Sequence, residues 1–574
     1  MTIDPTKGPL VLGIHEDTNA NAALLCGGTI EAAVAEERLT RTKFQGGFPA
    51  RAVAEVLRLG GVSAAELDAV VAANRYHFLP RLAGRAPIEG EHDLFGPLHR
   101  GWLALQDHLG GGGVAARCME HLNERLLARR FARPVDLIDH HTAHAYSAYL
   151  TSGFPEALAV SVDNLGDGFA AKTFACRGGR CELLWGSRAQ NSPGQFYGEI
   201  SQLLGFHVLM AGKVTGLAAR GDARKLYPLM ERLFALERDE TDFRLLPGLQ
   251  RRRSAPLFAE LAAASREDVS AAAQQRLEDV LVAYVRRGLK ETKLSHVVLA
   301  GGVFANVLVN HRLWSLPEVE GLFVHPAMSD QGMAVGAALT HLSACMPLAP
   351  RAIADVYLGP GYDEEEIGRA VEEAGARATL CRDIDLRVAE LIAEGKVVAR
   401  FTGRMEYGPR ALGHRSILYH TGDPSVNDWL NRRLRRSEFM PFAPAVLAEY
   451  APRCFTDYGP GVAHTARFMT ITLRCAEAMR RLSPAVVHLD GTARPQVVHE
   501  EFTPGFHRIL RLVHERTGVP SIINTSFNMH GEPIVCTPND ALRSFAAGRL
   551  DALALGPFLV TGARANSRGR PSCR

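Results

Sequence analysis

LAVSVDNLGDGFAAKTFACRGGRCELLW, residues 158–185, decides the fold. Leu158–Val162 is apolar and β-branched and reads as a strand, followed by a polar glycine loop, Asn164–Gly168. Ala170–Ala175 reads as a second strand, Arg177-Gly-Gly-Arg180 as a turn, and Cys181–Trp185 as a third strand. The same order opens the chain. Leu10–Ile14 is a short apolar strand, His15–Asn21 a polar loop, and Ala22–Leu25 with Thr29–Val34 a hairpin around Cys26-Gly27-Gly28. Strand, polar loop and hairpin therefore occur twice, which predicts a duplicated α/β domain.

A duplicated unit of this kind is what the actin and sugar-kinase ATPase fold contains, where two lobes each offer a hairpin loop to nucleotide phosphates. Between the two units lies Asp139-His140-His141-Thr142-Ala143-His144, at the predicted start of a helix. His140 and His144 are four apart, so their rings project from one helix face. Asp163, at a strand end, can aim a carboxylate at the same point. Asp330, ahead of an alanine-rich helix, is a possible fourth ligand. Two imidazoles with carboxylates suit a mid-series divalent metal, Fe(II) or Zn(II) first.

The 574 residues are 47% hydrophobic, enough for a sizeable core and more than one domain. Lys+Arg is 65 and Asp+Glu is 62, a balance that argues against a general nucleic-acid or membrane-surface binder. Basic clusters at Arg251–Arg253, Arg432–Arg436 and Arg564–Arg574 read as solvated faces. Ten cysteines include no CxxC pair, which argues against a thiolate zinc ribbon. Cys176 and Cys181 could face each other across a hairpin, but a reduced, cytoplasmic protein is the expectation. No signal peptide and no membrane-length apolar run are visible.

The segment from Arg75 to Val114 reads as an insertion, either a substrate-facing lid or a surface excursion. Ser270–Leu289 carries a helical apolar stripe. The strand Val297–Ala300 then runs into Gly301 and Gly302, which predicts backbone amides near a nucleotide. Pro347-Leu-Ala-Pro350 breaks the pattern, so two domains are expected, 1–350 and 351–574. In the second, Val397–Phe401 opens into the loop Gly403-Arg-Met-Glu-Tyr-Gly-Pro-Arg-Ala-Leu-Gly-His-Arg-Ser416. Its arginines offer planar forks to phosphate or acyl-phosphate oxygens. Ala485–Asp490 and Pro520–Ile523 read as strands ending in polar loops.

Four pieces together carry a resemblance over nearly the full length: Asp139–His144, Gly403–Gly413, Asp490-Gly-Thr-Ala-Arg-Pro-Gln496 and Asn524-Thr-Ser-Phe-Asn528. The chain resembles the O-carbamoyltransferases of antibiotic and nodulation-factor biosynthesis. The resemblance implies a metal-containing actin-like ATPase-fold domain fused to a threonylcarbamoyl-AMP-synthase-like (YrdC-like) domain. It implies that carbamoyl phosphate and ATP (with Mg2+) form carbamoyl adenylate in the second domain. A substrate hydroxyl then takes the carbamoyl group in the first, and AMP leaves. By motif, His140, His144, Asp163 and Asp330 carry over as metal ligands, with iron expected. Lys213, Gly301, Gly302 and Asn306 fall at the nucleotide, and Arg404, Arg410, Arg415, Arg436, Arg494, Ser526 and Asn528 at the activating site, Arg494 in a catalytic role.

The chain also departs from its relatives. They carry a histidine in the first loop where Thr18-Asn19 stands here. The acceptor hydroxyl still needs a base, and His15 and His141 are the nearest by sequence. Competing readings are threonylcarbamoyl transfer to tRNA, the carbamoyl-using hydrogenase maturation protein, and a non-catalytic nucleotide-binding regulator. Charge balance, missing CxxC motifs and the intact ligand and arginine positions respectively speak against them. The acceptor stays open among hydroxyl-bearing small molecules, as does the oligomeric state, a homodimer being one option.

Overall fold

The structure is a computed structural model, and it describes residues 8–76, 113–246, 256–435 and 441–561. The first half holds two five-stranded sheets of the same design. In the first, β1 (Leu10–His15), β2 (Asn21–Cys26) and β3 (Thr29–Ala35) form an antiparallel meander, and β4 (Ala69–Ala73) and β5 (Asp136–Ile138) add parallel to β1 in the order β3-β2-β1-β4-β5. In the second, β6 (Glu156–Gly166), β7 (Phe169–Arg177) and β8 (Arg180–Arg188) are the meander. After the ribbon β9 (Phe234–Leu236) and β10 (Phe243–Leu245), β11 (His296–Ala300) and β12 (Gly321–Val324) extend it in parallel. The predicted repeat is therefore present down to strand order.

Central strands such as β1 are buried along their whole length, which is why they read as apolar runs rather than alternations. The helix Met333–Cys345 joins the two sheets, and its small residues let it lie close. A Cβ on Gly13 would stand 2.0 Å from the carbonyl oxygen of Ala334, and one on Gly336 would stand 2.0 Å from that of Ala143. The latter contact is made with the helix His140–Leu150.

The second half is one mixed eight-stranded sheet. Its strands are β13 (Ala378–Leu380), β14 (Val398–Phe401), β15 (Arg415–His420), β16 (Ala443–Leu447), β19 (Gln496–Val498), β20 (Ser521–Ser526), β21 (Ala552–Leu555) and β22 (Phe558–Thr561). They are ordered β13-β22-β21-β14-β15-β20-β16-β19. A small ribbon, β17 (Leu473–Arg474) with β18 (Thr492–Ala493), stands apart from it. The segment before β17 grips the first half: Asn310 Nδ2 donates to the Thr470 carbonyl at 2.7 Å, and Thr465 Oγ1 donates to that of Leu322 at 2.6 Å.

Two expectations change. Ala485–Asp490 is not a strand: Pro484 starts a short 3-10 turn, Pro484–Val486, and a hydrogen bond from the His488 amide to the Thr492 carbonyl closes the segment. Cys176 and Cys181 sit opposite each other in the β7–β8 register and are joined by a disulfide, so the chain is not wholly reduced. The expected insertion lies mostly outside the described residues, as do Arg251–Arg253, Arg436 and Arg564–Arg574. No helix among the described residues is long and apolar enough to cross a membrane.

Candidate metal centre and the motif loops facing it

The helix His140–Leu150 begins where it does because Asp139 caps it, accepting from the Thr142 amide at 2.9 Å and from the Thr142 hydroxyl at 2.8 Å. The other Asp139 oxygen holds Lys172 Nζ at 2.6 Å in a buried ion pair. Asp167 accepts from the amides of His140, Arg75 and Tyr76, so one carboxylate ties the helix start to the end of β4. These contacts fix the first helical turn, and with it His140 and His144.

His140, His144, Asp163 and Asp330 bring one ligand atom each within 4.8 Å of one another. His144 Nε2 lies 3.4 Å from Asp163 Oδ2 and 3.6 Å from Asp330 Oδ1, and His140 Nε2 lies 4.0 and 3.9 Å from the same atoms. His140 Nδ1 donates to Asn74 Oδ1 at 2.7 Å, which leaves Nε2 with a bare lone pair aimed at two carboxylates. That Nε2, His144 Nε2 and Asp330 Oδ1 are buried and have no hydrogen-bond partner among the described residues. Lone pairs and negative charge converging this way fit a divalent cation, and the donor set is that of iron or zinc.

The ionisations say the same. Burial and the neighbouring Asp163 push Asp330 up to about 7. Burial would lower His144, yet Asp163 and Asp330 overrule it and push the ring up to about 9. Burial and His144 hold His140 well below the usual range. A cation between these ligands would displace the protons that Asp330 and His144 favour.

Asp163 reaches further. Its Oδ2 accepts from the Gly302 amide at 2.7 Å. Gly301 has φ +104, and a Cβ there would lie 2.2 Å from the Val162 carbonyl oxygen, so only glycine allows β6 and the turn to meet. Gly301 and Gly302 are thus beside the cluster. Asn306 is not free to meet a ligand through its Oδ1, which caps the helix Val307–Trp314 by accepting from the Leu308 and Val309 amides. Lys213 Nζ lies 5.7 Å from the ring centre of Phe206.

Of the two candidate bases, His141 is withdrawn. Its Nε2 donates to the Phe169 carbonyl at 3.0 Å and its Nδ1 accepts from Ser161 Oγ at 2.7 Å, so both nitrogens are spent. His15, at the end of β1, remains at the cluster, with Nε2 3.9 Å from Asp330 Oδ2.

In the second half Glu406 Oε1 accepts from the amides of Leu412, His414 and Arg415, which folds the Gly403–Ser416 loop around one carboxylate. Asn524 Nδ2 donates to Gln496 Oε1 at 2.6 Å and to the Ala411 carbonyl, and Gln496 Nε2 donates to that of Leu412. The three second-half motifs are therefore one constellation. Two of its arginines are not available to phosphate. Arg415 is fully buried, donates to the carbonyls of Thr402, Gly403, His414 and Pro360, and stacks 3.7 Å from the Phe401 ring centre. Arg404 donates to Gly359 and Leu358 and, across the junction, to Glu31 of β3. Asn528 Nδ2 donates to the carbonyls of Met529 and Glu532. Arg410, Arg494 and Ser526 keep partial exposure.

Sequence reasoning missed the residues that bind the halves. Arg38 donates to the Gly408 carbonyl at 3.0 Å, and Gln331, next to Asp330, donates to Glu37. Arg41 donates to the carbonyls of Pro533 and Ile534 at 2.7 and 2.6 Å. The only sequence signal was the charge density of Glu36–Arg41. Asn74 had a weaker one, a lone polar residue closing an apolar run, and in the structure it directly follows β4 with φ +73.

The carbamoyltransferase N-terminus family model matches residues 11–339, and the carbamoyltransferase C-terminus model matches residues 389–562. The chain is 33% identical to nodulation protein NolNO of Sinorhizobium fredii over 562 residues, covering 94% of this chain and 78% of that one. It is 34% identical to nodulation protein NolO of Bradyrhizobium diazoefficiens over 436 residues, covering 74% and 78%. Among solved structures it is similar to HypF of T. kodakarensis, at 13% identity and TM-score 0.33 over 59% of this chain and 48% of that one.

Proposed function

The chain belongs to the carbamoyltransferase family and is a transferase, and from that premise we propose that it is an ATP-dependent O-carbamoyltransferase acting on a hydroxyl-bearing small molecule. The first half, an actin and sugar-kinase type unit over 1–350, is the transfer domain. The second, a threonylcarbamoyl-AMP-synthase-like unit over 351–574, activates the carbamoyl group. The observation that carries this reading is the His140, His144, Asp163 and Asp330 cluster, with the motif loop of the second half lying against the same part of the first.

In the second half, carbamoyl phosphate loses phosphate to water, giving carbamate. A carbamate oxygen attacks the α-phosphorus of ATP, the bond to the bridging oxygen breaks, and pyrophosphate leaves; Mg2+ bound with ATP would offset its charge. Arg410 and Arg494 offset the charge of these anions. In the first half the acceptor oxygen attacks the carbamoyl carbon, the bond to AMP breaks, and His15 takes the hydroxyl proton. A divalent cation, iron in the first instance, held by the four ligands would supply Lewis acidity at the carbamoyl and phosphate oxygens. Gly301 and Gly302 line the adenylate's side of the cluster by their small size, their amides being already donated to the Met328 carbonyl and to Asp163. The natural-product class of the acceptor comes from the family resemblance.

The test is direct. The purified chain with ATP should release pyrophosphate only when carbamoyl phosphate is present. No carbamoyl phosphate-dependent pyrophosphate would refute the reading.

A further inference from the structure

The strand β2 reads Asn-Ala-Ala-Leu-Leu-Cys, apolar except for its first residue, and that residue, Asn21, is only 1% exposed. A buried amide is costly unless its donors and its acceptor are used, so its partners tell what it is for. Asn21 Nδ2 donates to the Asp330 carbonyl at 2.8 Å and to the Asn19 carbonyl at 2.8 Å. Its Oδ1 accepts from the Ala334 amide at 3.2 Å. Two of the three bonds therefore span 309 and 313 residues to reach the turn that carries Asp330.

That turn has no cap of its own. Asp330–Gly332 is a short 3-10 turn leading into the helix Met333–Cys345, and neither Ser329 nor Gly332, at the two N-cap positions, makes a side-chain cap. The Ser, Asp or Asn that usually caps a helix does not fit at Gly332, because a Cβ there would stand 2.4 Å from the Ala327 carbonyl oxygen. Asn21 supplies the cap from another strand. The Asp330 carbonyl also accepts from the Met333 amide, so with Asn21 both of its lone pairs are occupied. Held at its own carbonyl and at the Ala334 amide, the turn gives the Asp330 carboxylate a fixed origin.

Asn21 also bears on His15. The two are cross-strand partners in the β1–β2 register, and His15 Nε2 lies 3.9 Å from Asp330 Oδ2. The backbone of Asn21 thus pairs with the strand bearing His15, while its side chain holds the turn bearing Asp330.

We propose that Asn21 is a positioning residue of the cation site: it clamps the Asp330 turn onto the β1–β2 hairpin and so aims the Asp330 carboxylate at the point where His140, His144 and Asp163 converge. The inference rests on the cation reading of that cluster. It gives the first sheet, on which none of the four ligands lies, a part in placing one of them.

The experiment uses the full chain with Co(II) as probe, read by competition titration and by the d–d absorption band. Asn21→Leu, close to isosteric, removes all three bonds and should weaken Co(II) about 10–100-fold with a shifted band. Asn21→Ser, whose one hydroxyl hydrogen cannot serve both carbonyls, should weaken it about tenfold, and it carries the test if thermal melts show Asn21→Leu unfolded. Ser343→Ala controls for stability alone. It deletes a buried hydrogen bond of the same helix, from the Ser343 hydroxyl to the Gly179 carbonyl at 2.8 Å, about 15 Å further along the axis. It should melt lower than wild type with affinity and band unchanged. If wild type binds one Co(II), His144→Ala abolishes it, and the folded Asn21 variants match wild type within twofold or weaken binding no more than Ser343→Ala does, the proposal is overturned while the cation reading stands. If wild type binds no Co(II), both fall.

Discussion

Gly166→Ala puts a methyl group where the imidazole of His140 lies. A Cβ there would stand 2.1 Å from His140 Cδ2 and 2.2 Å from Cγ. Carbon atoms rest at about 3.5–4.0 Å, so the ring must retreat by about 1.4 Å or more. It has little freedom to do so. Nδ1 is held to Asn74 at 2.7 Å, and the backbone amide is held to Asp167 at 2.9 Å. The rings of His141 and His144 pack 5.0 and 4.8 Å away. Overpacking of this kind costs about 1–3 kcal/mol, which a chain with a large core survives. A ligand atom displaced by over 1 Å, however, exceeds the roughly 0.5 Å tolerance of a working site. Gly166→Ala should therefore fold, melt a few degrees lower, and bind Co(II) about 100-fold more weakly. Carbamoyl transfer should fail while carbamoyl phosphate-dependent pyrophosphate release continues. Gly459→Ala is the control, because its backbone is extended at φ −164 and nothing lies within 4 Å. Wild-type Co(II) affinity in Gly166→Ala would refute the assignment of His140 as a ligand.

Lys172→Met should destabilise the fold by about 3–5 kcal/mol, because it leaves the buried Asp139 carboxylate without its cation. Burial raises Asp139, but Lys172 overrides it and holds the carboxyl at about 2, so this stabilisation is full above about pH 4 and fades as pH falls through 2. The melting gap between wild type and Lys172→Met should shrink across that window, and a constant gap would count against the pair. Co(II) affinity should rise with pH, by about a hundredfold per pH unit below 7, where Asp330 and His144 each give up a proton, and by about tenfold per unit from 7 toward 9, where only His144 does. A flat titration curve would mean that the cation does not compete with those protons.

What was legible in the sequence was local. The β6–β8 meander and its echo in β1–β3 follow from apolar runs and glycine turns within about thirty residues. His140 and His144 follow from one helical turn. What was illegible depends on distant partners. Nothing near Arg415 foretells that the Pro360 carbonyl, 55 residues upstream, will join those of its own loop in consuming its guanidinium. Arg404 likewise meets Glu31, 373 residues away in the chain. His141 looked equivalent to its neighbours until Ser161 and Phe169 took both nitrogens. Ala485–Asp490 had a strand's composition, but the proline before it and the Thr492 contacts after it made it a turn. Asn306 matched a nucleotide-binding position, yet the same side chain is a helix cap.

The central claim is that one half activates and the other transfers. Chemically prepared carbamoyl adenylate, given to wild type, Arg494→Ala and His144→Ala with an acceptor that wild type carbamoylates, tests it without the first reaction. The account predicts carbamoylated product and AMP from wild type and Arg494→Ala, and none from His144→Ala. His144→Ala should nevertheless still release pyrophosphate from ATP and carbamoyl phosphate. Transfer by His144→Ala at the wild-type rate, or no transfer by Arg494→Ala, would contradict it.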